Sequence, residues 1–135
     1  MDAQSDLRTL EEGYLDRASS TIEKAVALLR DAAAAFKVDD VKTVEAKLWE
    51  AAAELEYVAS VLSVLYDFGE IYPDSKKRDD SPSEGVLSQI CEGLLNLLGY
   101  VKSDPKRVYG EVRIAIHGIR RVQVYLRARM FSSKG

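Results

Sequence analysis

The stretch LDRASSTIEKAVALLRDAAAAFKVDDVKTVEAKLWEAAAELEYVASVLSVL, residues 15–65, decides the fold. Its apolar residues recur at alternating steps of three and four, which places them along one side of an α-helix. In the first half they are Leu15, Ala18, Ile22, Ala25, Leu29, Ala32 and Phe36, and in the second half Val41, Val44, Leu48, Ala51, Leu55, Val58, Leu62 and Leu65. Only Lys37 to Asp40 separate the halves, and so short a connection makes consecutive helices antiparallel neighbours.

Two further helices follow a polar segment. PDSKKRDDSPSEG, residues 73–85, is rich in Pro, Ser, Asp and Lys, and we expect an exposed loop over 73–81. The segment ends in Ser81-Pro82-Ser83-Glu84, a typical helix start, and Asp104-Pro105 repeats the cap-plus-proline signal. The stripe expected to be buried is Leu87, Cys91, Leu94, Leu98 and Val101 in the third helix and Val108, Val112, Ala115, Ile119, Val122 and Leu126 in the fourth.

The composition is that of a folded domain. The chain has 135 residues, 47% hydrophobic and 30% charged, which is enough for one core without a disulfide or a structural metal. We therefore predict a single all-α domain over residues 1–135, an up-down-up-down four-helix bundle with long antiparallel helices. The helices are expected at about 6–37, 40–70, 82–102 and 105–131.

Neither a membrane segment nor a secretory signal is recognisable. The N-terminal residues MDAQSDLRTLEEG lack a basic region followed by an apolar one, and no apolar run approaches the length that spans a bilayer. The single cysteine, Cys91, has no partner for a disulfide or a zinc site. We expect a cytoplasmic protein without a membrane partner.

The side-chain inventory disfavours catalysis. His117 is the only histidine, so a di-iron bundle with two Glu-x-x-His motifs is excluded, and its arginine-rich surroundings do not suit a Ser-His-Asp base. We predict no catalytic residue, metal site or cofactor. A hydrolase that holds a divalent cation between Glu50 and Glu54, one turn apart, stays open as a third alternative.

The C-terminal segment is basic in an acidic protein. The formal net charge is -3, yet residues 100–135 hold nine Lys and Arg against two acids, which leaves ten against twenty elsewhere. Four of these basic residues recur at every seventh position of the fourth predicted helix. On a helix they form one nearly axial row about 30 Å long, with Arg121 beside it. The row consists of Lys106, Arg113, Arg120 and Arg127.

This basic row has two interpretations. Guanidinium groups spaced along a helix suit the phosphates of a single-stranded RNA or DNA, and Tyr109 and Tyr125 offer faces on which unpaired bases stack. The nucleic-acid-binding residues would then be Lys106, Arg113, Arg120, Arg121 and Arg127. In the alternative, the arginines pair with acidic helices of the same bundle or of another subunit, and the protein is a structural or protein-interaction module.

Helix two has a second apolar seam, displaced by one residue from the first. A wide apolar face serves a helix with two neighbours in a bundle, and it also serves an oligomer interface. Three apolar residues of helix four lie off its seam: Ile114, Ile116 and Val124. We predict a homo-oligomer whose interface comprises Tyr57, Val61, Val64, Phe68, Ile114 and Val124.

The fourth helix also resembles a known family. An order of Tyr, aliphatic-basic pair, spaced valines, Leu, Arg and Phe is similar to the C-terminal helix of translin, and here it comprises Tyr109, Val112, Arg113, Ile116, Ile119, Val122, Leu126, Arg129 and Phe131. Helix two, with Trp49 and its aliphatic run into Tyr66, is similar to an earlier translin helix. The resemblance implies an all-helical, oligomeric binder of single-stranded RNA or DNA. This chain is shorter than the family's members, and none of the metal-holding carboxylates of the RNA-cutting partners can be placed on it, so nuclease activity is not implied.

Overall fold

The structure, a computed structural model, describes residues 3–68 and 84–133. All regular secondary structure in these two ranges is helical. The four helices are α1 (Ala3–Lys37), α2 (Val41–Leu65), α3 (Glu84–Leu97) and α4 (Pro105–Ser133), and the 3₁₀ turn Leu98–Tyr100 continues α3. The predicted exposed loop, 73–81, and the predicted Ser81-Pro82 helix start lie outside the described residues.

The helices pack around one core in the ring order α1, α2, α4, α3. The main contacts join α1 to α2 and to α3, and α4 to α2 and to α3. The prediction of an all-α four-helix bundle is thereby confirmed. α2 and α4 form one side of the bundle, and this side holds the basic row together with its nearest acidic residues.

The direction of α3 differs from the expected order. Cys91 Sγ lies 3.8 Å from the carbonyl oxygen of Val26, and Lys102 Nζ lies 3.0 Å from Asp16 Oδ1. Residue numbers therefore rise along α3 as they fall along α1, so the two helices are antiparallel. α2 is also antiparallel to α1, because the short turn between them reverses the chain, and α2 and α3 consequently run the same way.

The direction of α4 completes the topology. Arg120 pairs with Glu56 and Arg127 with Glu45, so α4 is antiparallel to α2. The four helices thus run up, down, down, up, where the sequence led us to expect up, down, up, down. Every neighbouring pair is still antiparallel, as predicted. The alternating order assumes that α3 starts where α2 stops, but fifteen residues between 68 and 84 are long enough to join opposite ends of a bundle.

The apolar seams predicted from the sequence form the core. Every member of the α1 seam from Leu15 to Ala32 and of the α2 seam from Val44 to Leu62 is buried. The α4 seam from Val108 to Leu126 is buried as well, and so are all members of the α3 stripe except the half-buried Leu98. Small side chains such as Ala18, Ala25 and Ala51 at these positions let the helices approach closely.

A three-residue turn connects α1 to α2. Asp39 adopts the left-handed conformation with φ of 56° in the turn that ends α1, and Asp40 N–H donates to the carbonyl oxygen of Ala35 at 3.0 Å. Asp40 caps α2, because its carboxylate accepts from Thr43 N–H at 3.3 Å and from Thr43 Oγ1 at 2.7 Å. Hydrogen bonds from Thr43 hold the pKa of Asp40 below its ordinary value.

α2 ends at Leu65, five residues before the predicted end. Tyr66 has an extended backbone, and its N–H donates to the carbonyl oxygen of Leu62 at 2.9 Å. The Phe68 ring lies 5.5 Å from the Tyr66 ring and 5.3 Å from the Tyr109 ring, so the chain leaves the helix to build this aromatic contact. Tyr66 Oη also donates to a Glu11 carboxylate oxygen, and partial burial with this bond raises the pKa of Tyr66 to about 12.

The connection from α3 to α4 has the predicted cap. Asp104 Oδ1 accepts from Arg107 N–H at 3.3 Å, and Pro105 occupies the first helical position. α3 ends earlier than expected, because Leu98 to Tyr100 tighten into a 3₁₀ turn that still buries Val101. Among the described helices, none has the length and apolar character needed to cross a membrane.

Candidate functional site

The basic row of α4 faces the side of α2 instead of pointing straight into solvent. Arg113 and Arg120 both line a groove between the two helices. Lys106 is exposed and makes no ion pair with a described residue. Arg121 lies on the outer side of α4, next to the row. The five predicted nucleic-acid-binding residues are therefore not equivalent.

Two members of the row pair with carboxylates of the same chain. The Arg120 guanidinium contacts the Glu56 carboxylate, and Arg127 Nε lies 3.6 Å from Glu45 Oε1. Glu45 and Glu56 are eleven residues apart, which is three helical turns, so they share a face of α2. Their offset relative to the arginines was readable in the sequence once the two helices were known to be antiparallel neighbours.

Further basic residues near α4 also have acidic partners in this chain. Arg129 Nη2 lies 3.8 Å from Asp39 Oδ1, at the turn between α1 and α2. Lys102 Nζ lies 3.0 Å from Asp16 Oδ1, and this hydrogen bond together with the charge of Asp16 raises the pKa of Lys102. The excess of basic residues in the C-terminal segment is thus partly balanced by the acidic excess of the first two helices.

Arg113 differs from Arg120 and Arg127. Its side chain is half-buried, and its Nε is enclosed by protein without a hydrogen-bond acceptor. The guanidinium carbon lies 5.8 Å from the centroid of the Tyr109 ring, a cation–π contact. No carboxylate of the described residues forms an ion pair with it. Among the described residues, the aromatic face of Tyr109 is thus the partner of the Arg113 charge.

The groove beside Arg113 has a cavity volume of about 470 Å³. Its lining is Glu56, Ala59, Ser60, Ser63 and Val64 from α2, and Tyr109, Arg113, Ile116, His117 and Arg120 from α4. Small α2 side chains leave the groove open, whereas longer ones face the other arginines of the row. Ser60 and Ser63 were not predicted as site residues, because isolated serines on a helix carry no signal of their own.

The outer surface of α2 and α4 exposes several large apolar side chains. Exposed residues at helical spacing form what we call the α2 stripe, consisting of Trp49, Ala53, Tyr57, Ser60 and Val64. The corresponding α4 stripe consists of Ile114, His117, Arg121, Val124 and Ala128. Val64 is 85% exposed, Val124 67% and Trp49 60%. Large apolar side chains so open to water on adjacent helices are typical of a surface that another molecule covers.

The predicted oligomer interface is only partly on this surface. Tyr57, Val64, Ile114 and Val124 are exposed, and each belongs to one of the two stripes. Val61 is buried within the chain, and Phe68 is half-buried against Tyr66 and Tyr109. Val61 therefore does not lie on the outer surface, because this part of the second seam of α2 packs inside the bundle, and the half-buried Phe68 stays a predicted interface residue. Trp49, which belongs to the α2 stripe, was missing from the predicted interface.

The other reactive side chains named in the predictions are Cys91, His117 and Glu54. Cys91 is buried in the core, and burial raises the pKa of its thiol, so it packs as an apolar side chain. His117 is exposed on α4. Glu54 pairs with Lys24 at 3.1 Å, on the side of α2 that faces α1. No group of three or more potential metal ligands occurs among the described residues.

Comparisons of this chain with protein-family models, with curated proteins and with solved structures found no match. The resemblance of α4 to the C-terminal helix of translin therefore stays a prediction.

Proposed function

We propose that this protein is a cytoplasmic, non-catalytic interaction module that pairs with a second copy through the outer surface of α2 and α4. One observation carries the proposal: Val64, Val124 and Trp49 expose most of their apolar area on two adjacent helices. Burying apolar surface stabilises an assembly by about 25 cal/mol per Å². Covering these side chains is thus a direct source of association energy.

Charge complementarity favours a second copy as the partner. α2 holds four Glu and two Lys, a balance of -2, and α4 holds seven Lys and Arg and one Glu, a balance of +6. In a dimer whose two-fold axis runs between α2 and α4, the acidic α2 of each copy lies opposite the basic α4 of the other copy. The contact between the α2 stripe and the α4 stripe then occurs twice. Opposite charges at the edge of the interface then favour this arrangement over a dimer in which the two basic α4 helices face each other.

Internal pairing of the arginine row supports this function over nucleic-acid binding. Arg120 and Arg127 contact Glu56 and Glu45, so a phosphate strand along the row would approach two carboxylates of α2. Each such approach is repulsive, and each displaced ion pair lowers the net gain from a phosphate contact.

The test is the mass of the protein in solution, measured by light scattering and by sedimentation over a range of concentrations. We expect a dimer for the natural chain and a monomer for Val64→Glu and for Val124→Glu. Val38→Glu is the matched control, because Val38 is 74% exposed but lies in the turn between α1 and α2. A natural chain that stays monomeric at high concentration would overturn the proposal.

Single-stranded RNA or DNA is the second candidate ligand, and two observations favour it. Lys106 has no ion pair with a described residue, and the two arginine ion pairs are exposed enough for a phosphate to exchange with the carboxylate. Filter binding at low salt should then retain a labelled strand, and retention should fall when Arg113, Arg120 and Arg127 are replaced by Gln. Retention that the triple replacement leaves unchanged would reject this candidate.

A further inference from the structure

The ion-pair series between α2 and α4 has a gap at Arg113. At two consecutive heptad positions of α4, Arg127 and Arg120 meet carboxylates of α2. One heptad closer to the start of α4, Arg113 lies across the groove from Ser60 and Ser63. No acidic residue occurs between Tyr57 and Leu65, so α2 has no carboxylate at this level.

The space that a third carboxylate would occupy is open. Ala59, Ser60 and Ser63 are small, and the groove above them measures about 470 Å³, within the range of small-molecule sites in proteins. Two serine hydroxyls and the Arg113 guanidinium supply hydrogen-bond donors. Val64 and Ile116 supply apolar contact area on the two sides of the groove.

The electrostatics of Arg113 favour an anion in this groove. Its Nε is buried without an acceptor, so part of the guanidinium has lost water, and the face of Tyr109, 5.8 Å away, is its partner within the part of the chain that the structure describes. A desolvated cation of this kind gains more from an anion than a fully hydrated one, because the local dielectric constant is lower. The remaining nitrogens of the guanidinium are the donors that an anion in the groove would meet.

We propose that this groove binds the carboxylate of a small organic acid with an apolar body. Arg113 and Arg120 contribute two positive charges to the lining, and Glu56 contributes one negative charge. A bound monoanion therefore neutralises the site. A phosphate dianion would leave an excess negative charge that repels the Glu56 carboxylate. The carboxylate accepts from the Arg113 guanidinium and from Ser60 and Ser63, and it thus takes the place that Glu45 and Glu56 hold at the other two arginines.

This proposal does not depend on self-association. The groove shares Ser60 and Val64 with the α2 stripe and His117 with the α4 stripe, but Arg113 and Ser63, on which anion binding depends, lie outside both stripes. A monomeric protein that binds the acid would retain this inference and lose the proposed function. A dimer without affinity for the acid would retain the proposed function and lose this inference.

The experiment is an NMR titration of the ¹⁵N-labelled protein with phenylacetate, with its neutral isostere phenylacetamide, and with inorganic phosphate. We expect saturable shifts of the Ser60, Ser63 and Arg113 amide signals with phenylacetate, at an affinity about tenfold or more above that for phenylacetamide. No saturable shift at these amides with phenylacetate would overturn the proposal, and tighter binding of phosphate would overturn the assignment to a carboxylate.

Two variants give the inference a sharper form. Arg113→Gln removes the charge, and Ser63→Glu places a carboxylate one heptad from Glu56, where it pairs with Arg113 and fills the groove. Both should weaken phenylacetate binding about tenfold or more while the spectrum stays that of a folded bundle. Arg127→Gln is the control, because it removes an arginine of the same row that lies outside the groove, and it should leave the affinity unchanged. Equal affinities in Arg113→Gln and Arg127→Gln would refute the site.

Discussion

The ion pairs between α2 and α4 should be measurable as coupling energies. The perturbation is a double-mutant cycle for each pair, with Arg120→Gln and Glu56→Gln in one and Arg127→Gln and Glu45→Gln in the other. Glutamine keeps the length and most of the hydrogen-bonding capacity of glutamate and removes its charge. The cycle therefore isolates the interaction between the two charges from the effect of each replacement alone.

The expected magnitude follows from exposure. The Arg120 side chain is 60% exposed and the Glu56 side chain 50%, so water screens this pair and its coupling should fall near the lower end of about 0.2–1 kcal/mol. The Glu45 side chain is 27% exposed, so its pair with Arg127 should fall nearer the upper end of that range despite the 3.6 Å separation. Both couplings should shrink in 1 M salt, where the screening length is about 3 Å.

The assay is urea denaturation followed by circular dichroism for the natural chain, the single variants and the double variants. A cycle of Arg107→Gln with Glu45→Gln serves as the control, because Arg107 stacks on Tyr100 at the other end of α4 and should show no coupling. Coupling indistinguishable from the control in both pairs would refute the internal pairing of the arginine row. It would also return Arg120 and Arg127 to the set available for an anionic ligand.

Three further predictions concern the packing and the caps. Gln123→Leu should raise the free energy of unfolding by about 1 kcal/mol, because the amide nitrogen of Gln123 is buried without an acceptor; a loss of stability in urea denaturation would contradict this. Gly110→Ala should stabilise α4 by about 0.5–1 kcal/mol, whereas Gly118→Ala should gain less, because its added methyl group meets Ile90 at 3.0 Å; equal gains would count against the close approach of α3 and α4. Asp40→Ala should destabilise the protein at neutral pH. Because the folded-state pKa of Asp40 is lowered, this difference should begin to fall as the pH drops through the ordinary aspartate pKa of about 3.9 and vanish below the folded-state pKa, and a difference independent of pH would contradict the cap.

The sequence determined the helices and the core because heptad spacing is a local property. Every residue of the α2 seam from Val44 to Leu62 is buried, as its spacing predicted. The end of α2 was not predictable, because the chain leaves the helix at Tyr66 and Phe68 packs on Tyr109, which is distant in sequence. Local patterns carry no information on such a contact.

The candidate site was predicted less completely for the same reason. The row from Lys106 to Arg127 is visible in the sequence, but its partners depend on which helix lies beside α4 and in which direction. The connection between α2 and α3 does not decide this in the sequence, because its length allows either direction of α3. Once α2 and α4 are antiparallel neighbours, Glu56 and Glu45 fall opposite Arg120 and Arg127, and Ser63 falls opposite Arg113.

The up-down-down-up order divides the molecule into two hairpins, α1 with α2 and α3 with α4. Each hairpin closes through a short turn with its own capping aspartate, and the two associate side by side through α1 with α3 and α2 with α4. Contacts within a hairpin are closer in sequence than contacts between hairpins and cost less loop-closure entropy, so we expect them to form first. The chain is therefore suited to being expressed as two separate fragments that reassemble, with the recovery of helicity on mixing reporting the strength of the seam between them.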